Sequence, residues 1–575
     1  MTVSRDVSTS TDLSAAVAVP EKAPSSYSAY EQFKEHNLLG QPKWGLGKTL
    51  ATFSGLCLVM YEACSAEAQF NQILAPLKDH YGSSIFAQWM EAAYLLTCVL
   101  LQPVWVKMAE KFGRPWPLFA SILVFMAFSV MVGAASSMGV LCVGRALQGA
   151  GAAGMMPLAL VVLTDVLTPG VRGMYMGGLG AVIVAGKWSG PMVGAALYEH
   201  SNWRWVGYMH LPICAVAMVI LYATLHDMPT PPSKSLRSLR EFDFLGTLLW
   251  VGGGLMILLA LSWGGNEHKW NSAVVICLFV FGFVVVGLFG CVEAFYAKWP
   301  IIPLKVLFRK RTLLTLTSSF FLGFCIYGMI MFVPVYYMML QAEGPLASAK
   351  HIWWCMLGGV IGSLLGGFLV SVRHRVYYRE LSVVGTLMMT IGYGLLYTWP
   401  RELDKAKNAG YQVLVGLGLG LCMQQIMLAG QAGIPANEVS TVTTLIDYGR
   451  TLGGMVGLVM GEVILKEKMF ATVRTTFGGM LGMMKVQLDG QDVVGLEAMA
   501  PMLAKLPSVM TDPIYSGIMR ALHLVFVAYV PFAAAACILC VFIKNIPLHV
   551  ILPASHNDEV PEALRDLHRK KIESV

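Results

Sequence analysis

Fourteen apolar runs, most of them near 20 residues long, recur from one end of this chain to the other. They lie near 48–68, 86–106, 116–136, 139–163, 174–197, 204–224, 244–263, 273–297, 313–340, 350–371, 381–399, 410–433, 440–465 and 522–544. A helix of about 20 residues spans a hydrocarbon core of about 30 Å. Backbone groups find no water there, so each run must be a helix. The rest of the composition agrees, with 56% hydrophobic and only 13% charged residues in 575. A soluble domain carries about twice that charge. The chain is therefore expected to be an all-α polytopic membrane protein.

An even number of spans puts both chain ends on one side. Loops on that side, such as 107–114, 234–240, 305–311 and 373–379, hold most of the Lys and Arg. The opposite short loops hold about six, so the positive-inside rule makes the ends cytoplasmic. The net charge of +7 belongs to these loops, and is no signature of nucleic-acid binding. Residues 1–46 are polar and rich in Ser, Ala and Pro, lack an apolar signal core, and read as a disordered cytosolic tail. Residues 546–575 read the same way, and 466–521 form a long extracellular loop. Cys537 and Cys540 form a C-x-x-C inside the last run, without a second ligand pair, and read as packing sulfur rather than a metal site.

The chain echoes itself. Residues 186–194 read GKWSGPMVG and residues 449–457 read GRTLGGMVG. Gly186, Gly190 and Gly194 recur as Gly449, Gly453 and Gly457, Lys187 recurs as Arg450, and Glu199 as Glu462. These are runs five and thirteen. If runs seven and eight are an inserted pair, each is the fifth helix of a six-helix half. The halves would be 47–225 and 301–545, with the insertion and its loops at 226–300. Glycines four apart share a helix face and let a neighbouring backbone approach. Pro191 removes one backbone hydrogen bond and permits a kink. Two uses fit this face: a seal between the halves, or plain small-residue packing.

Charges inside spans cost about 2.5–3.5 kcal/mol each at a helix centre, so each needs a partner or a wet cavity. Glu62, Glu67, Arg145, Lys187, Asp447 and Arg450 are such charges. Counted from the cytoplasmic ends, Glu62, Lys187 and Arg450 fall near the midplane and Glu67 in the outer half. Glu67 is the first candidate proton site, because a low-dielectric cavity disfavours its charged form. An ion pair of Glu67 with Arg145 is the structural alternative, and Glu62 is the competing proton site. Lys187 and Arg450 would make an anion site if they face one cavity; otherwise Arg450 pairs with Asp447, one turn before it. Gln148, near Arg145, is a further cavity candidate. His210, at a helix end, reads as packed or solvated.

The turn VKMAEKFGRPW from Val106 places Glu110, Gly113 and Arg114 between runs two and three, as a charged latch on a glycine turn. It resembles the signature loop of the major facilitator superfamily, with Val106 for the usual Gly and Glu110 for Asp. GRALQGAGAA from Gly144 resembles the fourth-helix motif, with Arg145 as its intramembrane cation. Asp165, Arg172 and Gly173 resemble the next cytoplasmic turn. GKWSGPMVGA, centred on Gly190, Pro191 and Gly194, is similar to the fifth-helix motif of proton-driven exporters. NWRWVGYMHLP from Asn202 resembles the start of helix six in fourteen-span drug:proton antiporters, with His210 in place of Asn. Glu67 aligns with the acid of their first-helix motif.

The resemblance covers roughly 48–545 and implies a major facilitator fold of fourteen helices: two six-helix halves plus an inserted helix pair. It implies proton-coupled export of a drug, toxin, secondary metabolite or organic acid by alternating access, in the manner of fungal members. The expected partners are that small molecule, protons and the lipid bilayer, with no cofactor, no metal and no nucleic acid, in a monomer of the cell membrane or the vacuolar membrane. The rivals are an uptake carrier for a nutrient or metal chelate, and an organic-anion exporter without proton coupling. A membrane-bound enzyme is a rival of another class, but no catalytic cluster is visible in the sequence.

Overall fold

A computed structural model describes residues 44–546, except 75–76, 78–80, 82–84, 168, 227, 229–242, 266–267, 298, 342, 373–376, 400–404, 436–437 and 478–507. The tails, most of the linker after run six and the middle of the long loop lie outside the described residues. The apolar runs become helices: α1 Leu46–Ala68, α2 Ile85–Phe112, α3 Pro115–Gly133, α4 Met138–Val166, α5 Pro169–His200 and α6 Trp205–Leu225. Then follow α7 Phe244–Trp263, α8 Ala273–Phe295, α9 Lys310–Leu340, α10 Trp353–Val372 and α11 Tyr378–Leu396. Last come α12 Lys405–Gln431, α13 Val439–Phe477 and α14 Ser508–Val541.

Local chemistry sets the ends. Ser137 Oγ accepts from the Val140 N–H at 3.3 Å, and Asp243 Oδ1 accepts from the Gly246 N–H at 2.7 Å. Each satisfies a donor that the first turn of a helix leaves free. Gly113, at φ 89°, turns the chain after α2, and Pro115 opens α3. Eleven of the described helices are long and apolar enough to cross a membrane. The other three long ones, α5, α11 and α13, carry Lys187, Arg379 with Glu380, and Asp447 with Arg450. The expected loop at 466–521 narrows, because α13 runs on to Phe477 and α14 begins at Ser508.

Helix packing repeats. In α1–α6 the first helix packs on the fifth and sixth, the second on the fourth, and the third on the fourth and sixth. In α9–α14 the same neighbours recur: α9 on α13 and α14, α10 on α12, and α11 on α12 and α14. Between the two groups, α5 crosses α10 and α2 crosses α13. α7 and α8 pack on each other, and α7 also touches α2 and α13. Trp250 of α7 donates its indole N–H to the Leu100 carbonyl at 3.0 Å.

The glycine repeat explains the match at atomic level. A Cβ on Gly186 would stand 3.0 Å from the Tyr61 carbonyl oxygen and one on Gly190 2.6 Å from that of Ser65; one on Gly194 would strike that of Gln69. On the other side, Gly449 meets the Leu316 carbonyl, Gly453 that of Phe320, and Gly457 that of Phe324. Both fifth helices therefore lie on the backbone of the first helix of their own half, in one register. The expectation that these glycines seal the two halves together is corrected: they pack within each half. Pro191 lies inside the unbroken helix α5. The seam uses other small residues. A Cβ on Gly177 would lie 2.7 Å from the Gly367 Cα, and Ser363 donates to the Gly177 carbonyl at 3.0 Å.

Candidate functional site

The buried charges gather where α1, α4, α5 and α9 meet. Lys187 Nζ donates to the Glu67 carboxylate and, at 3.0 Å, to the Tyr327 hydroxyl. Glu67 is 1% exposed and Lys187 7%, so little water screens the pair. The Lys187 side chain reaches along the helix to Glu67, whose place on α1 lies between the levels of Gly190 and Gly194, beyond that of Lys187. The Glu67–Arg145 ion pair is corrected. Arg145 instead donates to the Ala66 carbonyl and to Gln148 Oε1, both at 2.9 Å, and lies over the Tyr94 and Phe70 rings. Gln148 passes the network on, donating to Ser129 Oγ at 2.8 Å.

Arg450 closes on Asp447 of its own helix, so Lys187 and Arg450 are not two bare cations facing one cavity. Of the two alternatives for the pair, the geometry shows Arg450 bound to Asp447 rather than an anion site of two cations. Glu62 lies one turn before Glu67 on α1 and meets Nδ1 of His210, while His210 Nε2 donates to Gln69 Oε1 at 3.0 Å. Glu62 and His210 are 0% and 1% exposed, so His210 is neither solvated nor merely packed. Nothing in the sequence links these two, which stand 148 residues apart.

The charged turn divides its work. Lys107 donates to Glu110 at 2.7 Å, and Glu110 accepts from the Ser440 and Thr441 hydroxyls at 3.0 Å, in the first turn of α13. Glu110 therefore reaches the second half. Arg114 pairs instead with Asp165 at 2.9 Å, inside the first half, and Arg172 donates to the Thr164 carbonyl at 3.0 Å. The expected Glu110–Arg114 latch is split between two sets of partners. Ser440 and Thr441 carry no signal in the sequence beyond their place at a helix start.

On the opposite face, the Leu346 N–H donates to Glu199 at 2.9 Å, and Ser348 donates to Gln72 at 3.4 Å. The halves thus touch near both faces. Between them, Ile183, Val184, Lys187, Trp188, Ile326, Leu419 and Met423 line a cavity of about 10 Å³, room for about one water. This space is too small for an organic molecule.

The family model of the Major Facilitator Superfamily matches residues 53–458. The chain belongs to this superfamily. It is 31% identical to the MFS-type transporter ppz2 of Metarhizium majus, over 84% of this chain and 83% of that protein. It is also 31% identical to the efflux pump dotC of Dothistroma septosporum, over 81% of this chain and 80% of that protein. With the multidrug transporter protein MdtP of Bacillus subtilis it shares 28% identity, over 87% and 94%. Solved major facilitator structures share the fold. The inward-facing, unoccupied bacterial homolog of the human lysosomal transporter Spinster superposes with a TM-score of 0.54 at 15% identity, over 87% of this chain and 97% of that one. The human organic anion transporter MFSD10 does so with a TM-score of 0.54 at 12% identity, over 87% and 100%.

Proposed function

We propose that this protein exports a small organic molecule across a membrane by alternating access, driven by protons taken up at Glu67. The relatives named efflux pumps and multidrug transporters support export over uptake. One observation carries the coupling: Glu67 is a buried carboxylate paired with a lysine that lines the space between the halves. Neutralising one member of a buried ion pair leaves the other uncompensated, at a cost of about 3–5 kcal/mol. Even ~3 kcal/mol changes the ratio of two facing states by roughly a hundredfold. Protonation of Glu67 thus favours one facing state, and substrate in the cavity favours the other. Arg145 fixes the backbone at Ala66 and so sets where the Glu67 carboxylate lies. Glu110, through Ser440 and Thr441, ties the halves at the face that bears the chain ends. We take that face as cytoplasmic and the carrier as a monomer of the cell membrane. The cation Arg450 is neutralised by Asp447, which favours this reading over an organic-anion carrier without protons.

The test is efflux of a metabolite and dye panel into inside-out vesicles with an imposed pH gradient. Wild-type accumulation should follow the gradient and collapse with a protonophore. Glu67→Gln should still equilibrate a transported compound while losing concentrative uptake. Gradient-driven accumulation in Glu67→Gln would remove Glu67 as the proton site.

A further inference from the structure

Lys187 has its two partners on opposite sides of the seam: Glu67 on α1 of the first half and Tyr327 on α9 of the second. We propose that Tyr327 is a positioning residue that transmits the protonation state of Glu67 to the second half through Lys187. This rests on the reading of Glu67 as the proton site.

An ionised Glu67 holds the Lys187 ammonium, and the ammonium donates to the Tyr327 hydroxyl at 3.0 Å. When Glu67 takes a proton, the ammonium loses its counter-charge in a site where only 7% of Lys187 meets solvent. It must then gain water or release a proton. Water requires the halves to part there, and a released proton weakens the donation to Tyr327. Both routes loosen the same link across the seam.

The second half is shaped for this contact. A Cβ on Gly454 would strike the Tyr327 ring at Cε2. In the repeat, Gly454 stands where the first half has Pro191, although the flanking glycines are kept. The departure from the repeat therefore opens the space that the tyrosine ring fills. Ile326, the residue before Tyr327 on α9, lines the small space between the halves together with Lys187.

The other charged or titratable groups near the pair are accounted for. Arg145 on α4 donates to backbone carbonyls of α1, and Asp447 on α13 is held by Arg450. Cys64, Tyr94 and Cys98 are buried neighbours on α1 and α2. Glu62, also on α1, is held by His210, as Asp447 is by Arg450.

The test reads hydrogen exchange in the seam segments 173–180 and 359–371, with the full-length protein in lipid nanodiscs. Glu67→Gln fixes the neutral form without a pH change. It should speed exchange in both segments by roughly tenfold. Tyr327→Phe keeps the ring and removes the hydroxyl; it should give the same acceleration, and the double variant no more than either alone. Gly454→Ala, which displaces the ring, should act in the same direction. Wild-type exchange in Tyr327→Phe alongside accelerated Glu67→Gln, or additive effects in the double variant, overturns the relay and leaves the role of Glu67 standing. Wild-type exchange in Glu67→Gln overturns the proton site and the relay with it.

Discussion

Arg450 closes on Asp447, one turn behind it on the same helix, whereas its counterpart Lys187 crosses to Glu67 on a different helix. The two cations occupy equivalent places in the repeat, yet only the Lys187–Glu67 pair joins two helices. The Asp447–Arg450 pair travels with one.

Asp447→Asn should leave Arg450 buried without its counter-charge and destabilise the fold by about 3–5 kcal/mol. The double variant Asp447→Asn/Arg450→Gln should recover much of that loss, because no lone charge remains. A thermal-unfolding cycle of the four proteins in detergent checks this. Equal losses in the single and double variants would show that the pair matters through contacts other than charge.

Gly194 and Gly453 face carbonyl oxygens of the first helices so closely that no side chain fits. Gly194→Ala and Gly453→Ala should each lower stability by about 1–3 kcal/mol, the usual cost of overpacking. Gly410, with open space around it, is the control position and should tolerate alanine. The measurement is the melting temperature of the purified variants.

Much of this was legible in advance, for a physical reason. The bilayer forces each apolar run into a helix, so helix positions follow from hydropathy alone, and a repeated glycine face betrays the duplication. The glycines' partner was not legible. A small-residue face says that a backbone comes close, not whose, and it was α1 and α9, each in its own half, rather than the opposite half. Pairing across the fold was hidden for the same reason: Glu62 and His210, or Lys187 and Tyr327, meet only once helices far apart in sequence pack together. The pair within one helix, Asp447 with Arg450, could be read from its spacing.

Glu110 accepts from Ser440 and Thr441 of the second half, whereas Arg114 pairs with Asp165 of the first. Glu110→Ala should therefore loosen the seam, with faster cysteine labelling near residue 440 and reduced transport. Arg114→Ala should chiefly destabilise the first half, because the half-buried Asp165 loses its salt-bridge partner. Identical labelling of wild type and Glu110→Ala would remove Glu110 from the seam.

His210→Asn should leave the Glu62 carboxylate buried without its imidazole partner, and cost about 3 kcal/mol of stability. Adding Glu62→Gln should restore part of it. Gradient-driven transport should survive in that double variant if Glu67 is the proton site. Its loss, in protein that is folded and inserted, would move the proton site to Glu62.

Orientation is open to direct labelling. With the chain ends inside, an impermeant thiol reagent added to intact cells should reach a cysteine placed within 478–507 and not one placed within 229–242. The reverse pattern would invert the protein in the membrane.

The two seams between the halves do not meet the lipid alike. Along one of them α7 stands beside α2 and α13, with Trp250 against Leu100 and Tyr448. Along the other, α10 beside α5 presents Ile361, Leu364 and Phe368 to the outside. A lipophilic compound dissolved in the bilayer therefore finds one flank roofed and the other bare. If cargo enters sideways rather than from water, it has a preferred door, and the inserted pair decides which one.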